Sequence, residues 1–275
     1  MQHKHHSLRC AQPLTKPIQH GAYGRGVKKL EADSSARTSW IRTHRPWLPL
    51  WENLGMTAGV KQTGPALFRV RVHLIDSDPE IWRLFEIDAS LGLPHVHDAL
   101  QTVMGWENTH LHEFLDYDPN VNGTITPMRP RRWASPFLRE DDNDGVYLAE
   151  EDFALRDVLT EQAPLFYMYD LGDNWLHRLD FIEALPMKAD DPTVTVIRGE
   201  RRCPLEDSGG IDGYDHILDV LSDPTDHEHH DLTEWVTSMH NNPRHPFDPA
   251  TYDTRTVNHT LRLALPDTTT HTKRQ

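Results

Sequence analysis

The chain has 275 residues, of which 37% are hydrophobic, and a net charge of −14 at pH 7. Residues 1–60 carry four lysines and five arginines against three acids, a net charge of +6, which leaves −20 for the rest. Binding to a phosphate backbone requires clustered Lys and Arg side chains. Nucleic acid is therefore not an expected partner of the acidic part, although the basic segment could contact it.

Residues 1–60 mix His, Pro, Gly, Ser and basic residues without a sustained apolar period. This composition predicts a disordered basic extension. Patterned sequence begins only at Ala66, so we hypothesise that Met56 is the natural start of translation. A single domain is predicted over residues 61–265, and residues 266–275 are a polar tail.

The sequence shows no sign of membrane insertion or secretion. No apolar run approaches the ~20 residues of a membrane span, and the N-terminus lacks the apolar core of a signal peptide. The two cysteines, Cys10 and Cys203, lie in dissimilar regions and form no CxxC pair, which is typical of a reducing compartment. These features predict a cytoplasmic protein.

The first predicted elements are an antiparallel hairpin and a helix. Apolar and polar residues alternate over residues 68–74, and a returning strand is predicted over residues 81–87 after a turn. Apolar residues then have helical spacing over residues 93–104, with Ser90 as the expected cap and Gly105 at the end.

The later elements are mostly short. Strands are predicted over residues 110–114, 165–169, 175–185 and 194–197, helices over residues 153–159, 214–221, 232–239 and 257–265, and a long excursion over residues 116–145. Strands and helices do not alternate strictly. The predicted fold is therefore α+β, a mixed and mainly antiparallel sheet with helices packed on it.

Two segments about thirty residues apart concentrate acids, His, Trp, Cys and Gly, which rarely fill a core without partners. In the first, Asp173, Trp175 and His177 would share one strand face, with Asp170 across the turn. A carboxylate beside an imidazole suits a general base or a metal ligand. The alternative is a turn aspartate, a core tryptophan and a histidine bonded within the sheet.

In the second segment, Glu206 and Asp207 offer carboxylates, and paired glycines allow a ligand to approach the backbone closely. Cys203 would offer a thiolate only if its pKa were lowered. The alternative is a tight loop whose acids cap a helix near Tyr214. The candidate binding residues are Asp170, Gly172, Asp173, Trp175, His177, Cys203, Glu206, Asp207, Gly209, Gly210 and Tyr214; the candidate catalytic residues are Asp173, His177, Glu206 and Asp207.

A metal site is a further hypothesis. His110 and His112 are two residues apart on a predicted strand, a spacing that often brings two imidazoles to one metal ion. Together with His177 they are the candidate metal ligands. The alternative is a polar sheet face exposed to solvent. No cofactor is certain, and a divalent metal is possible.

Several common signatures are absent. The chain has no phosphate-binding G-x-x-x-x-G-K-[ST], no dinucleotide-binding G-x-G-x-x-G after a strand, no G-x-S-x-G elbow and no paired-Cys zinc ribbon. These absences exclude the commonest nucleotide-dependent and serine-hydrolase classes.

Several runs in one order resemble the pRiA-type plasmid ORF-three-like family, whose members are also labelled insertion-element passenger TnpR proteins. The runs are FRVRV (68–72), PEIWR (79–83), MGW (104–106), HLHEF (110–114), residues 169–177, residues 203–210 and GY (213–214). The resemblance covers about residues 66–265 and implies an α+β domain associated with plasmids and mobile elements. It implies little chemistry.

The TnpR label suggests a resolvase, which we do not expect. A serine resolvase needs a nucleophilic serine among arginines and a basic helix-turn-helix. Neither is found in this sequence, and the region after residue 60 is strongly acidic.

Two functional hypotheses follow. In the first, the protein is a non-catalytic accessory module of a mobile element that binds an unknown protein or small-molecule partner. In the second, it is a metal-dependent hydrolase, in one version of phosphoesters, that uses His110, His112, Asp173, His177, Glu206 and Asp207. The hydrolase requires these side chains to converge in one pocket.

Overall fold

The computed structural model describes residues 66–121, 130–140, 142, 145–240 and 247–265. The predictions of a basic extension, a start at Met56 and a polar tail lie outside these residues.

An eight-stranded sheet organises the described part of the chain. Its strands are β1 Ala66–Leu74, β2 Trp82–Asp88, β3 His112–Leu115, β4 Arg132–Ala134, β5 Tyr147–Ala149, β6 Leu165–Tyr169, β7 Trp175–Pro186 and β8 Val194–Glu200. Their order is β5-β4-β3-β6-β7-β1-β2-β8. Neighbouring strands are antiparallel except β4 and β5. The predicted mixed, mainly antiparallel sheet of an α+β domain is confirmed.

Six helices accompany the sheet in these residues: α1 Leu93–Met104, α2 Pro136–Arg139, α3 Leu155–Val158, α4 Gly210–Ser222, α5 His229–His240 and α6 Thr254–Ala264. The main core lies where one sheet face meets α1, and it includes Val72, Leu100 and Tyr167. A smaller cluster of Leu205, Ile217 and Val236 joins α4 to α5. None of the described helices is long and apolar enough to cross a membrane.

The C-terminal end of α1 is fixed by a buried arginine. The Arg83 guanidinium donates hydrogen bonds to the carbonyls of Val103 and Met104, each at 3.1 Å, and lies 3.7 Å from the ring centre of Tyr252. Gly105 then adopts φ +103°, a left-handed conformation that glycine enters without steric cost. The chain leaves α1 in a defined direction, toward the residues that form the candidate site.

Local details differ from the sequence predictions. Ser90 does not cap α1, because its hydroxyl donates to Asp88 and the N-cap is Gly92. The long excursion contains β4 and α2, and β5 follows it; all three elements have only three or four residues, too few to show a period. His110 precedes β3 instead of lying in it.

Candidate functional site

Three segments meet beyond the end of β6: the loop after α1, the β6–β7 turn and the segment before α4. They bring together His110, Asp170, Glu206 and Asp207, which we call the acidic pocket. The His110 Nε2 atom lies 3.6 Å from Asp170 Oδ2, 3.7 Å from Glu206 Oε2 and 3.3 Å from Asp207 Oδ1. Three carboxylates therefore surround one imidazole nitrogen.

Asp170 is held in the pocket by the turn that follows it. Its φ of +54° is left-handed, and its Oδ1 accepts hydrogen bonds from the backbone N–H of Gly172 at 2.8 Å and of Asp173 at 3.3 Å. Its own N–H donates to the carbonyl of Leu111, which ties the turn to the segment before β3. One carboxylate oxygen thus fixes the turn, while Oδ2 faces His110.

Glu206 is the most deeply buried acid of the pocket, with 5% of its surface exposed. Its Oε1 accepts hydrogen bonds from the Glu107 N–H at 2.7 Å and from the Tyr169 hydroxyl at 3.0 Å. Burial raises the pKa of this carboxyl above its ordinary value. The other oxygen, Oε2, is buried and has no hydrogen-bond partner, and the same is true of His110 Nε2.

The loop that carries His110 is pinned at successive residues by buried side chains. The Trp106 indole donates to His177 Nε2 at 3.1 Å, the Asn108 N–H donates to Gln101 Oε1 at 2.8 Å, and the Thr109 N–H donates to the Tyr169 hydroxyl at 3.0 Å. These bonds define the position of His110 from inside the protein.

The segment before α4 packs closely on the β6–β7 turn. Asp173 Oδ2 accepts from the Gly209 N–H at 2.9 Å, and a Cβ added at Gly210 would lie 2.7 Å from the Asp173 carbonyl oxygen. Asp207 has φ +58°, and Asn108 and Asn174 are also left-handed. Such conformations cost free energy and persist where the surroundings impose them, often at functional sites.

The geometry of the pocket suits a metal ion. Ligand atoms of His110, Asp170 and Asp207 all lie within 4.8 Å of one another. Ligands bonded at ~2.1 Å to a tetrahedral ion would be about 3.4 Å apart, close to the separations from His110. Asp207 has 66% of its side chain exposed, so one side of the pocket is open to solvent.

The family model described as plasmid pRiA4b ORF-3-like protein matches residues 66–256. The chain belongs to this family. An uncharacterized protein of Sinorhizobium fredii, y4hQ, is 29% identical over 174 residues, which are 63% of this chain and 82% of that protein.

A solved structure also resembles the chain. It is the crystal structure of MM3350 from Methanosarcina mazei Go1, a protein of unknown function. The two sequences are 27% identical, and the structures match with a TM-score of 0.58 over 70% of this chain and 98% of the MM3350 chain. Neither relative's name states a reaction, so the chemistry of the family must be argued from the pocket.

Two of the three predicted metal ligands lie outside the acidic pocket. His177 is fully buried, and its Nδ1–H donates to the Tyr167 carbonyl while Nε2 accepts from Trp106. Burial lowers the pKa of His177 to about 4, so the ring is neutral. The Nε2 of His112 is engaged by Glu150 at 2.9 Å. Both imidazoles are engaged by the protein, and only His110 of the three faces the carboxylates.

The strand face predicted for Asp173, Trp175 and His177 holds only for Trp175 and His177, which both lie in β7. Asp173 lies in the turn before β7, where the two-residue period of a strand does not apply. Its carboxylate binds the N-terminus of α4 through Gly209, while Trp175 and His177 point into the core. The structure agrees with the alternative stated for these three residues: a turn aspartate, a core tryptophan and a histidine bonded within the sheet.

The remaining predicted residues are either buried in the core or are glycines next to the pocket. Burial raises the pKa of the Cys203 thiol far above its ordinary value, which opposes thiolate formation. Tyr214 is buried in α4, and burial raises its pKa to about 12. Gly172 lies in the β6–β7 turn, Gly209 directly precedes α4, and Gly210 is the first residue of α4.

Sequence reasoning missed the residues that support the pocket, notably Tyr169, Glu107 and Trp106. The contribution of Glu107 is a backbone N–H, which its side chain does not reveal. Tyr169 ends the apolar run of β6, and Trp106 follows the apolar end of α1, so a core role is the ordinary expectation for both aromatic residues. A second acidic group, Asp226, His227 and Glu228, is clustered but mostly exposed, and its members are consecutive in sequence.

Proposed function

We propose that this protein is an accessory binding module whose acidic pocket holds a divalent metal ion through His110, Asp170 and Asp207. The observation that carries the proposal is the convergence of the Asp170 and Asp207 carboxylates on the His110 Nε2 atom, which is buried and has no hydrogen-bond partner. Of the six buried polar side-chain atoms without a partner in the described residues, two, His110 Nε2 and Glu206 Oε2, lie 3.7 Å apart in this pocket. Buried polar atoms are nearly always bonded, so this pair calls for an explanation such as an ion.

The donor set indicates the class of metal. One imidazole nitrogen with carboxylate oxygens, and no thiolate, suits ions such as Mn²⁺ or Zn²⁺. The pocket gathers three carboxyl groups around one imidazole, and a divalent ion would offset the negative charge that such groups carry. Metal binding would also bridge the three chain segments that meet there.

The geometry favours binding over the hydrolase hypothesis. Of the six side chains on which that hypothesis rests, His112, His177 and Asp173 are engaged elsewhere in the structure. The ion-pair partner of Asp170, Glu206 and Asp207 among the described residues is His110, with no Lys or Arg. A phosphoester substrate would therefore meet negative charge without the basic side chains that usually hold it.

The family supports a plasmid-associated setting, and we extend this to a role beside a mobile element in the cytoplasm. The acidic region after residue 60 favours a protein or small-molecule partner over nucleic acid.

The experiment is a calorimetric titration of the metal-free protein with Mn²⁺ and, separately, with Zn²⁺. We expect one equivalent to bind the wild type, and we expect D170N and D207N each to weaken binding at least tenfold. D173N is the matched control, because it removes a charge from the same turn without touching His110. Wild-type protein that binds neither ion, or D170N that binds as tightly as D173N, would refute the proposal.

A further inference from the structure

The two oxygens of Glu206 have unequal surroundings. Oε1 is engaged twice, by the Tyr169 hydroxyl and the Glu107 N–H, whereas Oε2 has no partner and lies 3.7 Å from His110 Nε2. The side chain is 95% buried, as its 5% exposure shows. The second oxygen of this carboxylate therefore faces the pocket and is not used to bind the loop after α1.

From this asymmetry we infer that Glu206 turns its Oε2 into the site as a fourth metal ligand, and that Tyr169 is the residue that positions it. Oε2 is near His110 Nε2 but lies outside the group of atoms of His110, Asp170 and Asp207 that are within 4.8 Å of one another, so binding requires this turn of the carboxylate. The inference rests on the metal site proposed above. Ligating carboxylates are themselves commonly hydrogen-bonded, which fixes the direction of the free oxygen. Tyr169 supplies that bond to Glu206 from the last position of β6, directly before Asp170 in the chain.

Tyr169 also connects Glu206 to the loop that carries His110. Its hydroxyl donates to Glu206 and accepts from the Thr109 N–H, so one oxygen atom contacts the residue before His110 and the carboxylate opposite. Its ring is 6.0 Å from the His110 ring and 5.2 Å from Trp106. A single side chain therefore sets the spacing between two ligands that come from distant parts of the sequence.

The same strand offers a matched control. Tyr167 lies two residues earlier in β6, is fully buried, and has a hydroxyl bonded to His97 and Gln101 instead of the acidic pocket. Y169F and Y167F each remove one buried hydroxyl from the same face of the sheet. Only Y169F removes a contact with a proposed ligand.

The test is calorimetric titration with Mn²⁺ of the wild type, Y169F, Y167F, E206Q and the double variant Y169F/E206Q, with folding checked by circular dichroism. We expect Y169F to weaken Kd by about 10–100-fold, as is usual when a partner of a metal ligand is removed, and Y167F to change it by less than about threefold. E206Q should weaken Kd at least as much as Y169F. Y169F should add little in the E206Q background, because Tyr169 acts through Glu206.

The outcomes separate the two proposals. Wild-type protein without Mn²⁺ affinity refutes the metal site itself. Wild-type binding with E206Q or Y169F unchanged refutes this inference and leaves His110, Asp170 and Asp207 as the site. A purely structural role of Tyr169 predicts equal losses with and without Glu206. If Y169F does not fold, E206D replaces it, since it withdraws the carboxylate by one methylene; unchanged affinity in E206D would overturn the inference.

Discussion

Two clusters of histidine, tyrosine and acid lie on the same side of this sheet, and they differ in how fully their polar atoms are bonded. In the cluster around His97, the ring stacks on His112 at 3.6 Å, and both His97 nitrogens are bonded, to the Tyr167 hydroxyl at 2.7 Å and to Asn108 Oδ1 at 2.8 Å. Glu150 is bonded to His112 Nε2 at 2.9 Å. We call this cluster the histidine network.

The acidic pocket has similar residue types with a different result. There, His110 Nε2 and Glu206 Oε2 are buried and have no hydrogen-bond partner, although carboxylates surround the ring. The comparison teaches that residue type does not distinguish a structural network from a binding site. In these two clusters the bonding of one ring differs: both nitrogens of His97 are bonded, whereas His110 Nε2 remains available to a ligand.

The largest expected difference between the two clusters concerns stability. E150A would leave a buried His112 nitrogen without its partner, so we expect the free energy of unfolding to fall by about 3 kcal/mol. Chemical denaturation of metal-free protein measures this loss. D207N, at the exposed side of the pocket, is the comparison and should change stability by less than about 0.5 kcal/mol. Equal losses in the two variants would remove the distinction.

Added Mn²⁺ should raise the free energy of unfolding through the acidic pocket and not through the histidine network. At a free Mn²⁺ concentration one hundred times Kd, a single site stabilises the folded protein by about 2.7 kcal/mol. We expect this increase in wild type, and we expect it to fall to about 1.4 kcal/mol or less in D170N at the same Mn²⁺ concentration, because a tenfold weaker site is then only about ten times over its Kd. In E150A, the starting stability is lower but the increment should persist. An undiminished increment in D170N would mean that the ion binds outside the pocket.

As the pH falls, protonation of the buried histidines should lower the free energy of unfolding before the rest of the core is affected. Burial lowers the pKa of His97 and of His177 to about 4, below the ordinary value of 6.5. The unfolded chain therefore binds more protons between those values, and stability is lost as the pH falls through that window. Each histidine should remove about 1 kcal/mol between pH 6.5 and 5.5. Denaturation of metal-free protein at several pH values tests this; a flat profile would show that these rings are not held neutral.

The smallest expected effect is at Asp173. D173A removes the acceptor for the Gly209 N–H at the start of α4, and loss of one such hydrogen bond costs about 1 kcal/mol. The Kd for Mn²⁺ should stay within about threefold of the wild-type value. A much larger loss of affinity would return Asp173 to the candidate site, where the sequence predicts it as a binding and catalytic residue.

Much of the fold could be predicted because its long elements have clear periods. The alternation in β1 and the helical spacing of α1 come directly from burial on one face, and both elements lie where predicted. The strands β4 and β5 could not be found in this way, since three residues do not establish a period. Their pairing depends on contacts between distant segments.

The candidate site could be predicted only in part. Glu206 and Asp207 stand out in a dense polar segment, and Asp170 marks a turn. The approach of His110 to Asp170 depends on the pairing of β3 with β6, where His112 lies opposite Tyr169. Two imidazoles at i, i+2 spacing look equivalent in the sequence. Glu150 is bonded to His112 and not to His110. This difference cannot be seen in the local sequence, because Glu150 lies 38 positions from His112.

Crystals grown with Mn²⁺ would test the metal site most directly, through the anomalous scattering of the ion. We predict one strong peak about 2.0–2.4 Å from His110 Nε2 and from carboxylate oxygens of Asp170 and Asp207, with Glu206 Oε2 turned toward it. An acidic pocket without a peak in crystals that hold Mn²⁺ elsewhere, for example at Asp226–Glu228, would contradict the account.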